Sequence, residues 1–258
     1  MSSPLFVHEF GPADGRPLLA LHGLTGHGAR WRRFAATHLP GWRVIAPDLR
    51  GHGGSTWNPP WTLETFAQDV LAVLDDLGLG PVPVMGHSFG GAIAVYLARL
   101  APDRISKVIL ADPAIGLDPA ESLQDAEDAR TEDVYATLDE ARAAQAERWP
   151  FASEEQLSDE LGDGMHQNTE DGTWRRRYSP AMGVTAWSEM ARPLVTPPAS
   201  IPTLLVPAKG ADFVTFEHIE AFRAALGDSL TVREMDCGHL VYLEHPEQYA
   251  GILNAFLD

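Results

Sequence analysis

Val84-Met85-Gly86-His87-Ser88-Phe89-Gly90-Gly91 sets a serine between two glycines, after an apolar run and before a helical pattern. A strand that turns sharply into a helix at this point forces the serine into a strained backbone. The flanking glycines let the neighbouring elements approach closely enough to make the turn. Ser88 is therefore the candidate nucleophile, with a helix N-terminus beside it that favours negative charge. A serine hydroxyl reacts only when a base takes its proton, and that base needs an orienting group. Met235-Asp236-Cys237-Gly238-His239-Leu240 places a histidine in a loop between a strand and the last helix, so His239 is the candidate base. His87 adjoins the serine but is expected to point to the other side of the turn, and His166, His218 and His245 read as surface. The third member should be a carboxylate at the end of a strand. Asp212, beyond Leu204-Leu205-Val206, is the expected acid, and Asp112, closing Val108-Ile109-Leu110-Ala111, is its rival. Leu21-His22-Gly23-Leu24-Thr25-Gly26 follows an early strand and can aim an amide at the serine. The N–H groups of Leu24 and Phe89 are the expected oxyanion donors, with His22 and Gly23 expected to touch substrate. His22 and His27 lack a third ligand at useful spacing, so no metal is expected, and nothing in the sequence calls for a cofactor.

The elements that position these groups alternate along the chain. Leu18–Leu21, Arg43–Ala46, Val82–Met85 and Lys107–Leu110 read as strands. Thr62–Leu77 carries Leu63, Phe66, Val70, Leu74 and Leu77 on one face, and a second helix follows Ser88. Ile201–Val206 and Leu230–Met235 continue the strands, with helices around Glu217–Leu226 and Pro246–Leu257. Such alternation predicts a mostly parallel sheet covered by helices on both faces, an α/β protein. Leu117–Ser200 breaks the pattern. It holds 18 Asp and Glu against 7 Arg and no Lys, and it reads as helices over Glu121–Trp149, Glu154–Gln167 and Ser179–Arg192 without an apolar strand. The expected organisation is a core of residues 1–116 and 199–258 interrupted by a helical cap, residues 117–198. Trp149, Trp174 and Trp187 of the cap are candidate substrate contacts. Arg175, Arg176 and Arg177 could grip a carboxylate, but a solvated run paired with the cap's own acids is the favoured reading.

The 258 residues carry 36 acids against 19 bases, a formal charge of −17. That excess argues against a nucleic-acid or anionic-membrane partner. The single cysteine, Cys237, excludes an intrachain disulfide. No stretch reads as a leader or a membrane span, so a soluble, cytoplasmic chain acting on a small molecule is expected.

The motifs together resemble the α/β-hydrolase fold superfamily, in its capped serine-hydrolase form, over nearly the whole chain. The residues that carry the likeness are His22-Gly23, Pro47-Asp48-Leu49-Arg50-Gly51-His52-Gly53, Gly86–Gly91, Asp212 and Gly238-His239, in the family's order Ser, Asp, His. Many relatives have glycine where Ala208 stands, and Asp212 lies one residue later than the commonest spacing. The resemblance implies that the Asp48–Gly53 loop is structural. A serine nucleophile argues against the relatives that use aspartate there. Hydrolysis of a neutral or hydrophobic ester or lactone asks least of these residues and is the first expectation. The alternatives are carbon–carbon bond hydrolysis of aromatic degradation and cofactor-free haloperoxidase chemistry. A non-enzymatic binder would show a broken triad.

Overall fold

The computed structural model describes residues 3–258; Met1 and Ser2, which begin the segment read above for a leader, lie outside them. Seven strands form one sheet: β1 (Val7–Phe10), β2 (Arg16–Leu21), β3 (Trp42–Pro47), β4 (Val82–His87), β5 (Ile105–Ala111), β9 (Thr203–Val206) and β10 (Leu230–Val232). Their order across the sheet is β1-β3-β2-β4-β5-β9-β10. β1 runs antiparallel to β3, and every other pairing is parallel. The helices are α1 (Arg32–His38), α2 (Leu63–Asp76), α3 (Phe89–Leu100), α4 (Ser122–Asp128), α5 (Leu138–Arg148), α6 (Glu154–Gly164), α7 (Pro180–Met190), α8 (Phe216–Leu226), α9 (Val241–Glu244) and α10 (Pro246–Leu257). The expected α/β architecture is therefore present.

The central strands are apolar on both faces because both faces are covered. Leu19, Leu21, Val84, Val108 and Leu110 point to the side of α2 and α3, where Phe66, Val70, Leu74, Ile93 and Leu97 meet them. Their neighbours Leu18, Ala20, Met85, Ile109 and Ala111 point the other way, onto Phe34, Tyr249, Leu253 and Leu257 of α1 and α10. Local signals set the helix ends. Thr62 Oγ1 accepts the Thr65 N–H and caps α2, and Ser153 and Gln156 form a reciprocal capping box on α6.

Between β5 and β9 the chain is mainly helical, with α4 packed on α7 and α5 on α6. It also holds a small antiparallel sheet that sequence patterning missed: β6 (Val134–Tyr135), β8 (Trp174–Arg176) and β7 (Met165–Gln167), in that order. Strands of two or three residues have no period to read, and Trp174-Arg175-Arg176 is held by pairing with His166 and Gln167 rather than by alternation. β7 also ends the helix expected over Glu154–Gln167 at Gly164. Among the described residues no helix is long and apolar enough to cross a membrane.

Candidate active site

Parallel strands deliver their functional groups at their carboxyl ends. β4 ends at His87, and Ser88 follows with φ 54° and ψ −122° before α3 begins. The turn is possible only because side chains are missing beside it. A Cβ on Gly86 would run into the Gly90 carbonyl, and one on Gly90 would sit 2.5 Å from the His22 oxygen. Three non-glycine residues have positive φ among the described residues: Thr25 (63°), Ser88 (54°) and Asp112 (44°). Strained backbone of this kind persists where the surroundings hold it in place, and it collects at functional sites. All three lie around one point.

His239 lies in the loop after β10, a quarter exposed. Its Nδ1 donates to Asp112 Oδ2 at 2.6 Å. Asp112 stands directly after β5, fully buried, and its Oδ1 accepts the Ala208 N–H at 3.0 Å. The expectation that Asp212 orients the histidine is thus corrected: Asp112 is the carboxylate in contact. The reason lies in the sheet. β5 sits between β4 and β9, so Asp112 emerges beside Ser88, while the Ala208 amide beyond β9 binds the Asp112 carboxylate. Asp212 lies farther along the loop and is exposed.

Ser88 and His239 open into one cavity of about 560 Å³, with Leu24, Trp149, Phe151, Tyr178, Trp187 and Phe213 among its walls. No hydrogen bond joins the serine hydroxyl to the imidazole among the described residues; such bonds often tighten only with substrate bound. The N–H groups of Leu24 and Phe89 donate to no other protein group among the described residues, and Leu24 borders the cavity.

Several candidate contacts fall elsewhere. His22 is fully buried. Its Nε2 accepts the Leu49 N–H at 2.9 Å and its Nδ1 donates to the Gly23 carbonyl at 2.8 Å. The ring ties the Gly23-Leu24 loop to the core rather than meeting substrate. Burial, then the neighbouring His52, pushes its pKa well below the ordinary histidine value. Gly23 also lies off the cavity wall, and a Cβ there would meet His87 Nδ1 at 2.8 Å and Ser88 Cβ at 3.0 Å. Trp174 packs against Ala141, Leu161 and Met165 inside the helical segment, away from the cavity. Trp149 and Trp187 do border it. His87 does not turn away from the site: its Nε2 donates to the His239 carbonyl at 2.9 Å. Burial, then repulsion from His239, holds the ring neutral.

The three consecutive arginines separate. Arg175 pairs with Glu132 and Asp171, as a solvated run would. Arg177 is exposed and donates to the Met165 carbonyl. Arg176 alone is buried and borders the cavity, held by Gln145 at 2.5 Å, Asp133 at 3.4 Å and Glu160 at 3.6 Å. Glu160 also takes Arg30 at 2.5 and 2.8 Å and His27 at 3.2 Å. Despite full burial, which would raise it, the Arg30 charge and these bonds hold its carboxyl well below the carboxylate range. Asp48 is structural in the same manner, accepting His8 and the N–H groups of Gly28 and Gly54.

The chain matches known proteins along nearly its whole length. A family model described as alpha/beta hydrolase fold matches residues 16–246. The chain is 37% identical over 257 residues to lipase LipV of Mycobacterium tuberculosis, covering 98% of this chain and 97% of that protein. It is 29% identical over 255 residues to 3-oxoadipate enol-lactonase 1 of Acinetobacter baylyi, covering 98% and 92%. Among solved structures, E-2-(acetamidomethylene)succinate hydrolase superposes with a TM-score of 0.85 at 23% identity, covering 98% of this chain and 95% of that one. The chain belongs to the alpha/beta hydrolase fold family and is a hydrolase.

Proposed function

We propose that the chain is a serine esterase that cleaves neutral, predominantly apolar carboxylic esters or lactones through an acyl-enzyme. The observation that carries this reading is the 2.6 Å contact between His239 and the buried Asp112, beside a serine on a strained turn in the same cavity. Asp112 fixes the tautomer with the proton on Nδ1, which leaves the Nε2 lone pair free to take the Ser88 proton. Ser88 Oγ attacks the ester carbonyl, and the oxyanion is held by the N–H groups of Leu24 and Phe89. The imidazolium then protonates the leaving alkoxide. Water, deprotonated by the same nitrogen, releases the acid and restores Ser88. Each oxyanion donor of this type is worth about 10²–10³ in rate.

The walls support a neutral substrate. Trp149, Phe151, Trp187, Phe213 and Met190 offer apolar contact. Arg30 and Arg176 border the cavity but are already engaged by Glu160, Gln145 and Asp133. The names of the LipV and enol-lactonase relatives fit ester and lactone cleavage. A cap over residues 117–198 forms the far side of the pocket in this reading. The test is a serine-reactive phosphonate together with p-nitrophenyl ester turnover. Labelling is expected at Ser88, and Ser88→Ala should lose about 10⁴-fold or more in activity while staying folded. Retention of most turnover by Ser88→Ala would refute the mechanism.

A further inference from the structure

The Asp112 bond fixes His239 at one atom only. A ring held by a single hydrogen bond can still swing about the Nδ1–Oδ2 line, carrying Nε2 away from the serine. Something must fix the plane. Phe213, on the loop after β9, lies over the His239 imidazole with ring centroids 4.1 Å apart and planes inclined by 26°. Trp187 of α7 stacks behind Phe213 at 6.5 Å and 24°. A file of rings thus runs from a helix of the inserted segment to the base. Phe213 is half-buried and borders the cavity.

We propose that Phe213 is a positioning residue for the general base: its ring face holds the His239 imidazole in plane and stabilises the imidazolium formed as Ser88 is acylated. This rests on the serine-esterase reading above. The face of an aromatic ring carries negative charge and attracts a cation lying over it. That attraction is absent while the imidazole is neutral and appears as it takes the serine proton, so it acts on the transition state rather than on substrate binding. The charged and titratable groups around His239 leave this role open to an uncharged ring. Among the described residues, Asp112 from the end of β5 supplies the one direct counter-charge. His87 from β4 lies 4.6 Å away, centroid to centroid, kept neutral by burial. Glu244 of α9 is occupied by the N–H groups of Gly238 and Leu240. In the histidine's own loop, Asp236 is exposed, and burial pushes the Cys237 thiol up to about 11.

The test compares Phe213→Leu, which keeps apolar cover but removes the π face, with Phe213→Tyr, which keeps both. Phe213→Leu should lower kcat about 3- to 30-fold with KM changed less than twofold, and the acid limb of the kcat/KM profile should move to lower pH. Phe213→Tyr should restore both. The His239 ring proton Hε1, followed by NMR of the intact protein, should lie upfield and move downfield in Phe213→Leu. Phe213→Met supplies the same comparison if the leucine variant does not fold. Equal kcat and an unmoved acid limb in the folded leucine or methionine variant would overturn the proposal, as would a tyrosine variant as impaired as leucine. His239→Ala separates the two levels. If it abolishes turnover while Phe213→Leu matches the parent, only this inference fails; if it retains turnover, the esterase reading fails first.

Discussion

Replacing Asp112 by asparagine changes one atom and leaves the backbone undisturbed. Asp112 has φ 44°, a conformation that asparagine shares with aspartate and alanine disfavours. The cost therefore falls on the hydrogen bonds. The carboxylate accepts twice, from Ala208 N–H at 3.0 Å and from His239 Nδ1 at 2.6 Å. Asparagine has one acceptor and one donor on its amide. If the oxygen faces Ala208, the amide N–H₂ faces Nδ1 and forces the proton onto Nε2, where it blocks attack by the serine. If the amide flips, its N–H₂ meets the Ala208 N–H and that buried donor loses its partner. The first arrangement costs activity, about 10⁴-fold by the tautomer effect. The second costs stability, about 1–3 kcal/mol for an unsatisfied buried donor. Turnover of a p-nitrophenyl ester and a urea midpoint on the same preparation separate them. The expected result for Asp112→Asn is a loss of about 10³–10⁴ in kcat/KM with the fold retained, whereas Asp212→Asn, an exposed position, should stay within about twofold. Loss of orders of magnitude at Asp212, or near-parent turnover at Asp112→Asn, would refute the assignment.

Other perturbations test the scaffold. Gly90→Ala sets a Cβ 2.5 Å from the His22 carbonyl and 2.6 Å from that of Leu21; backbone cannot yield cheaply, so at least about 1–3 kcal/mol of stability should be lost in urea unfolding, along with activity. Glu160→Gln leaves the buried Arg30 guanidinium without its charge partner and should cost about 3–5 kcal/mol, with the Arg30→Met/Glu160→Leu pair recovering much of it; full stability in Glu160→Gln would show that the ion pair is dispensable. Acid should destabilise the fold through its buried histidines. Burial lowers His52 from 6.5 to about 4, so it contributes fully above about pH 6.5 and the contribution fades as pH falls toward 4. At pH 5 the loss is about 2 kcal/mol. Buried His22 and His87 act in the same direction, and His52→Asn should flatten the slope of unfolding free energy between pH 7 and 5 by about one proton.

The placement of Ser88 and His239 on one cavity was legible because each is fixed by its immediate neighbours. Gly86, Gly90 and Gly91 announce a turn whatever surrounds it, and Gly238-His239 sits between a strand and a helix that periodicity alone marks. The carboxylate against His239 was not legible in this way. Asp112 and Asp212 both follow an apolar strand, and chain order favours the later one. What decides between them is that β5 lies between β4 and β9 and that the Ala208 amide is turned toward β5. Neither fact is local, since it depends on strands about 95 residues apart being neighbours. The same limit hid β6, β7 and β8, which exist only by pairing, and the inward turn of Arg176 between two outward-facing arginines. The expectation for His22 failed differently. A histidine beside a glycine-rich loop looks like a site residue, but both of its nitrogens are spent on backbone groups of that loop and of Leu49.

The strained positions show how the fold holds the site in readiness. Thr25 follows the expected oxyanion donor Leu24, Ser88 is the expected nucleophile, and Asp112 holds His239, and each has its backbone in a region costing about 1–3 kcal/mol. Local sequence would relax all three. The restraint comes from bonds made across the sheet. The Ser88 N–H donates to Ala111 O at 3.1 Å, its carbonyl accepts from Ala114 at 3.1 Å, and the Asp112 N–H donates to Val206 O at 2.9 Å. On the oxyanion side, Arg30 reaches the Thr25 carbonyl at 3.3 Å while anchored on Glu160 from α6. Ser88 and Asp112 are therefore braced by the sheet, but the Leu24–Thr25 loop is braced partly by the segment between β5 and β9. Loosening α6 should disturb Leu24 before it disturbs the Asp112–His239 pair. Leu24 is placed through Arg30 and Glu160 of α6, and His239 through Asp112 after β5 and through Phe213 backed by Trp187 of α7.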